Sequence, residues 1–243
     1  NAMHGVINVI SAAPTEDVDN SLALEAGPYD YYRGKYRYSN TVGQNGISIS
    51  ANGTSDGGYK DDSDYDQEKA TVRHDYAGNQ WSFRTVLDAA NLNQNTAGFI
   101  QGYDSYKDKG KKKSNPNPNA YRDAWSVRLY SAASYALNNN NTLTITPYLR
   151  ANDMEFLQHY LPWQPVEKNG HDSLGLRTSL ETDAEALRWI SGIDLEYTNA
   201  ALKETQDTDF SPNQPAGVHY DYKVGATVGA LYSQLRTQND SPW

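Results

Sequence analysis

The most regular feature of the sequence is an alternation of apolar and polar residues with a period of two. Between Trp125 and Leu137 the odd-numbered positions are mostly apolar, whereas the even-numbered ones include Ser126, Arg128 and Ser134. The same alternation recurs at 47–52, 81–88, 143–150, 174–181, 187–197 and 220–233. Because a period of two places alternate side chains on opposite faces of a strand, the pattern predicts an all-β fold, an antiparallel up-and-down meander of about ten long strands.

The connections between these stretches alternate between short and long. Tight connections are predicted at 41–45, 77–79, 138–141 and 182–185, and long ones at 54–66, 91–119, 152–170 and 199–217. Up-and-down barrels of outer membranes have short turns at one rim and longer loops at the other. Many of the predicted strands also reach the roughly 9–11 residues that cross a bilayer when tilted. The apolar face of every strand, including the even-numbered set from Tyr220 to Tyr232, is expected to face lipid.

Composition fits strands in a membrane better than helices. Hydrophobic residues make up 37% of the chain, and the mean hydropathy is -0.80. No stretch approaches the roughly 18 consecutive apolar residues of a spanning helix, but alternating strands escape that test. The 19 Tyr residues outnumber the 4 Phe, and Tyr suits an interface that is apolar on one side and wet on the other.

Charge and residue types exclude several functions. A net charge of -9 argues against nucleic-acid binding, which needs a basic face. The chain has no Cys, and its 5 His residues show no ligand spacing. The stretch from Asp62 to Asp66 resembles the start of a calcium loop, but Gln67 and Arg73 occupy the positions of the required Gly and Glu. We therefore expect no catalytic residues, no enzyme activity, no metal site and no cofactor.

Aromatic residues in two of the long connections are the candidate ligand-binding residues. They are Tyr103, Tyr106, Phe156, His159, Tyr160 and Trp163. Aromatic rings in loops can stack on a ligand, although an aromatic patch at a membrane rim has the same composition. The lysine-rich run 107–113 is a solvated loop or a contact for the phosphates of lipopolysaccharide or another anionic ligand.

The first residues resemble a known family. The segment 1–11, with its Gly-Val-Ile-Asn-Val-Ile run, is similar to the end of the plug domain in TonB-dependent outer-membrane receptors. Residues 98–103 and 115–124 resemble a long loop and the start of a strand in such receptors. The resemblance implies that 1–19 are the end of a plug domain and its linker. It also implies that 20–243 are the N-terminal portion of a roughly 22-stranded transmembrane β-barrel.

Further expectations follow from this resemblance. The family imports a scarce ligand, such as a ferric siderophore, cobalamin or an oligosaccharide, across the outer membrane of Gram-negative bacteria. Its partners would be that ligand, outer-membrane lipid or lipopolysaccharide, and TonB through the plug region. The chain would be a fragment that lacks most of the plug and the second half of the barrel. Its two open sheet edges and apolar face would then favour self-association.

Two alternatives remain open from the sequence. A soluble β-rich module of lectin-like type could hold a glycan in long loops at one end. In such a module Trp125, Ile193 and Leu195 would pack inside a sandwich core, whereas in the receptor they would face lipid. The second alternative is a complete ten-stranded pore, although residues 237–243 read as another turn and not as a closing strand.

Overall fold

The described residues form a single antiparallel sheet of ten strands. The structure, a computed structural model, describes residues 11–158, 161–184 and 187–237. The strands are β1 (Asp19–Gly27), β2 (Tyr31–Val42), β3 (Asn45–Asp56), β4 (Tyr65–Ala77), β5 (Trp81–Asn95), β6 (Tyr121–Asn138), β7 (Asn141–Leu157), β8 (Val166–Ala184), β9 (Leu187–Gln206) and β10 (Gly217–Thr237). Each strand pairs with the next in chain order, so the predicted meander is confirmed.

The later strands are longer than the alternation predicts. The expected long connection at 152–170 contracts to 158–165, because β7 and β8 stay paired as far as Leu157 and Val166. An ion pair of 2.5 Å between Lys168 Nζ and Glu155 Oε2 joins the extended ends of the two strands. Phe156, which we expected in a loop, therefore lies in β7.

One face of the sheet is apolar and uncovered. Directly paired residues of an antiparallel sheet share a face, and one such row reads Leu87, Leu129, Leu149, Leu174 and Tyr197. On the same face, Trp125 is 44% exposed and Leu195 is 51% exposed. In the described part of the chain no second sheet packs on them. The sandwich core that a lectin-like module requires is thus not formed.

The polar face is the concave side of the sheet. A cavity of about 780 Å³ on this face is bounded at once by side chains of β2 and of β8, which requires the sheet to curve. Five arginines line it: Arg37, Arg73, Arg84, Arg128 and Arg177. We call this space the wall cavity.

The segment before β1 runs along this concave face. Arg73, which is 3% exposed, donates to the carbonyl oxygen of Ser11, and its guanidinium forms a 2.5 Å ion pair with Asp75. The backbone N–H of Thr15 donates to Ser39 Oγ at 2.8 Å. The chain therefore enters β1 from the polar side, and the preceding motif at 1–10 lies outside the described residues.

The last strand departs from the expected face pattern. Val224 pairs with Ala200 and Val228 pairs with Glu196, so the even-numbered apolar set of β10 shares the polar face. The prediction for this strand was wrong. Both faces of β10 are exposed along nearly its whole length. Its orientation is therefore set by the hydrogen-bond register with β9 and not by burial of its apolar residues.

The sheet is open within the part of the chain that the structure describes. β1 and β10 each have one neighbour and do not pair with each other. A closed ten-stranded pore would need that pairing, so this alternative is not supported.

No helix among the described residues is long and apolar enough to cross a membrane.

Candidate functional site

The longer connections gather at one edge of the sheet, which we call the rim. They are 57–64, 96–120, 158–165 and 207–216. The opposite edge carries the short connections 43–44, 78–80 and 139–140. The predicted alternation of short and long connections is thus confirmed. One three-residue connection, 28–30, also lies at the rim.

The longest connection, 96–120, is tied to the acidic connection 57–64. The N–H of Asp61 donates to the carbonyl of Lys113 at 2.8 Å, and Asn115 Nδ2 donates to the carbonyl of Asp62 at 3.1 Å. Lys60 Nζ donates to the carbonyl of Gly98 at 2.5 Å. The acidic connection thus holds its neighbour through main-chain atoms. Within the described ranges, no group of three or more His, Cys, Asp or Glu residues is arranged to hold a metal ion.

One lysine of the basic run sits on aromatic rings. Lys113 Nζ lies 5.3 Å from the ring centroid of Tyr29 and 5.7 Å from that of Tyr59. The two rings meet edge to face, 5.4 Å apart. Such cation–π contacts contribute roughly 0.5–1 kcal/mol at exposed sites. Lys113 therefore helps to order the rim, unlike the freely solvated lysines that the sequence suggests.

A cavity of about 760 Å³, here called the rim cavity, opens between 96–120 and 158–165. It is lined by Phe99, Ile100, Gln101, Lys111, Ser114, Pro116, Asn117 and Pro162. Half of these lining residues are apolar, and Lys111 is the cationic one among the described residues. The volume lies within the roughly 300–1,000 Å³ of small-molecule sites. Sequence reasoning missed these residues, since they come from two separate connections. The apolar pair Phe99–Ile100 in a polar loop was the available signal.

The predicted ligand-binding residues that the structure describes lie in three different places. Tyr103 and Tyr106 are 98% and 65% exposed and project from the same connection without lining the rim cavity. The ring of Trp163 lies 6.0 Å from that of Phe210, so it joins the connections 158–165 and 207–216. Phe156 lies in β7, paired with Glu167 of β8 on the polar face. His159 and Tyr160 fall outside the described residues.

A buried polar cluster lies beneath these two connections, on the polar face at the rim. Glu167 of β8 and Glu204 of β9 are directly paired across the strands. The Tyr220 hydroxyl lies 3.0 Å and 3.1 Å from the Oε2 atoms of these two carboxylates, and Gln158 Nε2 lies 3.2 Å and 3.0 Å from the same atoms. Gln158 is 5% exposed and Glu204 is 9% exposed. Together with His219, these residues are the rim cluster.

A β-bulge brings His219 into the rim cluster. The register of β10 shifts between Val218 and Tyr220, so both His219 and Tyr220 lie opposite Glu204. His219 Nδ1 is 2.8 Å from Glu204 Oε1, and Nε2 is 2.9 Å from the carbonyl oxygen of Pro215. Both partners are acceptors, and only the protonated imidazole can donate from both nitrogens. The hydrogen bond to the Pro215 carbonyl has the largest effect on the pKa of His219, and the bond to Glu204 adds to it, so the pKa is raised above its usual value.

The rim cluster also affects Tyr220. Burial raises the pKa of the Tyr220 hydroxyl, and the neighbouring Glu167 and Glu204 carboxylates raise it further, so the hydroxyl stays a donor. No sequence motif marks the cluster, because its members are separated along the chain and only the strand pairing brings them together.

No family model and no curated protein matches the sequence. Solved structures do match the fold. The unliganded ferric citrate transporter FecA superposes with a TM-score of 0.74 at 12% identity over 97% of this chain. The closed form of the ferric-catecholate import receptor Fiu from E. coli K12 gives a TM-score of 0.75 at 13% identity over 98%. The ferripyoverdine receptor of the Pseudomonas aeruginosa outer membrane, bound to ferripyoverdine, gives 0.70 at 11% identity over 91%.

This chain spans 38%, 41% and 35% of those three receptors, respectively. The likeness at these identities is one of fold: the ten-stranded meander is similar to part of the strand arrangement in outer-membrane import receptors.

Proposed function

We propose that the chain is the N-terminal barrel portion of a bacterial outer-membrane receptor that binds a small-molecule ligand for energy-coupled uptake. The observation that carries this function is the uncovered apolar face, which has the height of a bilayer and ends in aromatic residues. The concave polar face and the rim cavity then take the positions of a lumen and an external ligand site.

The height of the apolar face follows from the register. The row of Leu180 contains Tyr135 and Trp81, and the row of Gly170 contains Trp125. Leu180 and Gly170 are ten positions apart along β8. At about 3.3 Å per residue this is roughly 33 Å of strand. A strand tilt of about 40° reduces it to the roughly 25 Å height of an outer-membrane apolar band with aromatic girdles.

The rim supports the ligand-binding part of this function. The rim cavity has the size of a small-molecule site, and its wall combines apolar side chains with a few polar ones. The exposed rings of Tyr103 and Tyr106 stand on the same connection and are available to an approaching ligand. A ferric siderophore, cobalamin or an oligosaccharide is the ligand class in this proposal, with Phe99 and Lys111 as first contacts.

The path of the chain before β1 supports the proposed domain division. Ser11 and Ala12 line the wall cavity, so the chain leaves the concave side on its way to β1. In this proposal a plug domain ends on that side, and residues 1–19 are its end and its linker. TonB would contact the plug region that precedes this chain.

Cysteine labelling tests the membrane orientation. The chain has no native Cys, so Leu129→Cys and Ala132→Cys each introduce one thiol on the same strand, on the apolar and the polar face respectively. In lipid vesicles, a fluorophore on Leu129→Cys should be quenched by lipids brominated in the acyl chains, whereas one on Ala132→Cys should not. Equal, weak quenching at both sites, with a monomer that needs no detergent, would reject the receptor and favour a soluble binding module.

A further inference from the structure

A single carboxylate in the rim cluster, that of Glu204, is linked by hydrogen bonds to the connections 158–165 and 207–216. Glu204 Oε2 accepts from Gln158, the first residue of connection 158–165. Glu204 Oε1 accepts from His219, whose other ring nitrogen donates to Pro215 in connection 207–216. Glu204 itself lies on β9, on neither connection. It is therefore the shared anchor of two segments that are distant in the sequence.

Each connection also has hydrogen bonds between its own residues, which link the anchored residue to the rest of the described connection. The N–H of Gln158 donates to the carbonyl of Pro165 at 2.9 Å, which joins the two ends of the connection 158–165. In 207–216, the N–H of Ala216 donates to Asp209 Oδ1 at 2.7 Å, and the N–H of Phe210 donates to the Gln214 carbonyl at 3.0 Å. Both connections are thus held by hydrogen bonds of their own.

The connection 158–165 contributes Pro162 to the wall of the rim cavity, and 207–216 contacts that connection. Phe210 of 207–216 packs against Trp163 of 158–165, and the neighbouring Pro162 lines the cavity. A continuous series of contacts therefore runs from Glu204 to the cavity wall.

We propose that Glu204 is a positioning residue for the rim cavity, and that its ion pair with His219 makes the placement of the two connections depend on pH. Its importance for ligand binding rests on the function proposed above. Glu204 does not touch the cavity, so it acts through Gln158, His219 and the loops that they hold.

The direction of the pH dependence follows from the hydrogen bonds. Protonated His219 donates to both Glu204 and Pro215, whereas neutral imidazole has a single N–H and must release one of them. A histidine with a raised pKa contributes its full stabilisation below its ordinary value of about 6.5. That stabilisation is lost as the pH rises through the raised pKa. The rim is thus most ordered in mildly acidic medium and loosens in alkaline medium.

The neighbouring titratable groups agree with this direction. The titratable groups beside the ion pair are Glu167 from β8, which is directly paired with Glu204, and Tyr220 from β10, whose hydroxyl donates to both carboxylates. The carboxylates favour the imidazolium, and the Tyr220 hydroxyl stays protonated because its pKa is raised. Both nitrogens of His219 already have acceptors, which leaves neither lone pair for a metal or for proton abstraction.

Hydrogen exchange on the whole 243-residue chain in detergent micelles, without ligand, tests the assignment. The amide protons to follow are those of Leu161, Gln164, Phe210 and Ala216, each of which has an acceptor in its own loop. After correction with an unstructured peptide, their protection should fall above the raised pKa by at most about tenfold per pH unit, since one proton is coupled. The imidazole pKa of His219 is read by NMR in the same samples.

Two variants and one control separate positioning from general stability. Glu204→Gln keeps the size but removes the charge, so the pKa of His219 should fall and protection in both loops should drop at every pH. His219→Gln should make loop protection independent of pH. His171→Gln, a histidine on the polar face outside the rim cluster, should behave as the unaltered chain. Amides of β2 and β3 report whether each variant is folded.

Opposite results would overturn the assignment. These are a His219 pKa at or below its ordinary value, or loop protection that Glu204→Gln leaves unchanged. If both variants fail to fold, the pH profile of the unaltered chain decides alone, because loops that are equally protected from mildly acidic to alkaline pH contradict the proposal. The measurement needs no ligand, so its outcome is independent of whether the chain is a receptor.

Discussion

Replacing Leu176 by arginine tests the apolar face at the depth where a lipid-facing charge costs the most free energy. Leu176 lies on β8, with Leu195 as its partner on β9, and it is 38% exposed on the uncovered face. It is four positions from the aromatic row of Leu180 and six from the row of Gly170. It therefore stands near the middle of the proposed membrane band.

The expected cost follows from that depth. An arginine facing lipid at the midplane of an outer-membrane barrel costs about 2–4 kcal/mol, and the cost falls towards zero at the interfaces. Leu176→Arg should therefore reduce the ratio of membrane-inserted to free chain by roughly 25- to 700-fold, since about 1.4 kcal/mol corresponds to a factor of ten. The residues paired with Leu176, Pro147 and Leu195, are apolar, so the guanidinium has no counter-charge directly beside it.

Co-flotation of the chain with lipid vesicles measures the effect. Ser179→Arg is the matched control, because Ser179 lies three positions further along β8 on the polar face and pairs with Thr144 and Gly192. The control should float with the vesicles as the unaltered chain does, whereas Leu176→Arg should remain largely in the aqueous fraction. Equal loss in both variants, or none in Leu176→Arg, would refute a lipid-facing role for this surface.

Other expectations concern the wall, the rim and the sheet edges. A Cβ at Gly175 would lie 2.1 Å from the ring of Tyr148. Gly175→Ala should therefore lower the free energy of unfolding by about 1–3 kcal/mol in urea titrations. Gly53→Ala is the control and should not show this steric loss, because the space around its Cβ is open. Lys113→Gln removes the cation over Tyr59 and should increase hydrogen exchange in 96–120, at a cost of roughly 0.5–1 kcal/mol; unchanged exchange would contradict that role. The open edges of β1 and β10 should make the chain associate in detergent-free buffer, and a strictly monomeric species at micromolar concentration in sedimentation velocity would contradict this.

The sequence contains enough information for the meander because strand alternation is a local property. In β6, the apolar Trp125 and the polar Arg128 stand at odd and even positions and so predict opposite faces of the strand. The short turn after Asn138 predicts an antiparallel partner. The alternation of short and long connections then places the long ones at a single edge, since every second connection of a meander returns to the same side.

The rim cavity and the rim cluster could not be predicted from the sequence in the same way. Phe99 and Pro162 meet only because two connections fold over the same edge, and Glu167 meets Glu204 only through the register of β8 and β9. The six aromatic candidates were chosen by residue type and predicted loop position. Strand pairing instead places Phe156 in β7, two residues before the connection 158–165.

The sequence by itself determined the number, direction and two-faced character of the strands, because each follows from the pattern of neighbouring residues. The tertiary structure alone decided the face of β10 and the setting of His219, since hydrogen-bond register and one bulge set both. A shift of one residue in register moves every side chain of a strand to the other face. The alternation of apolar and polar residues does not determine which face the apolar residues occupy when both faces of the strand are uncovered.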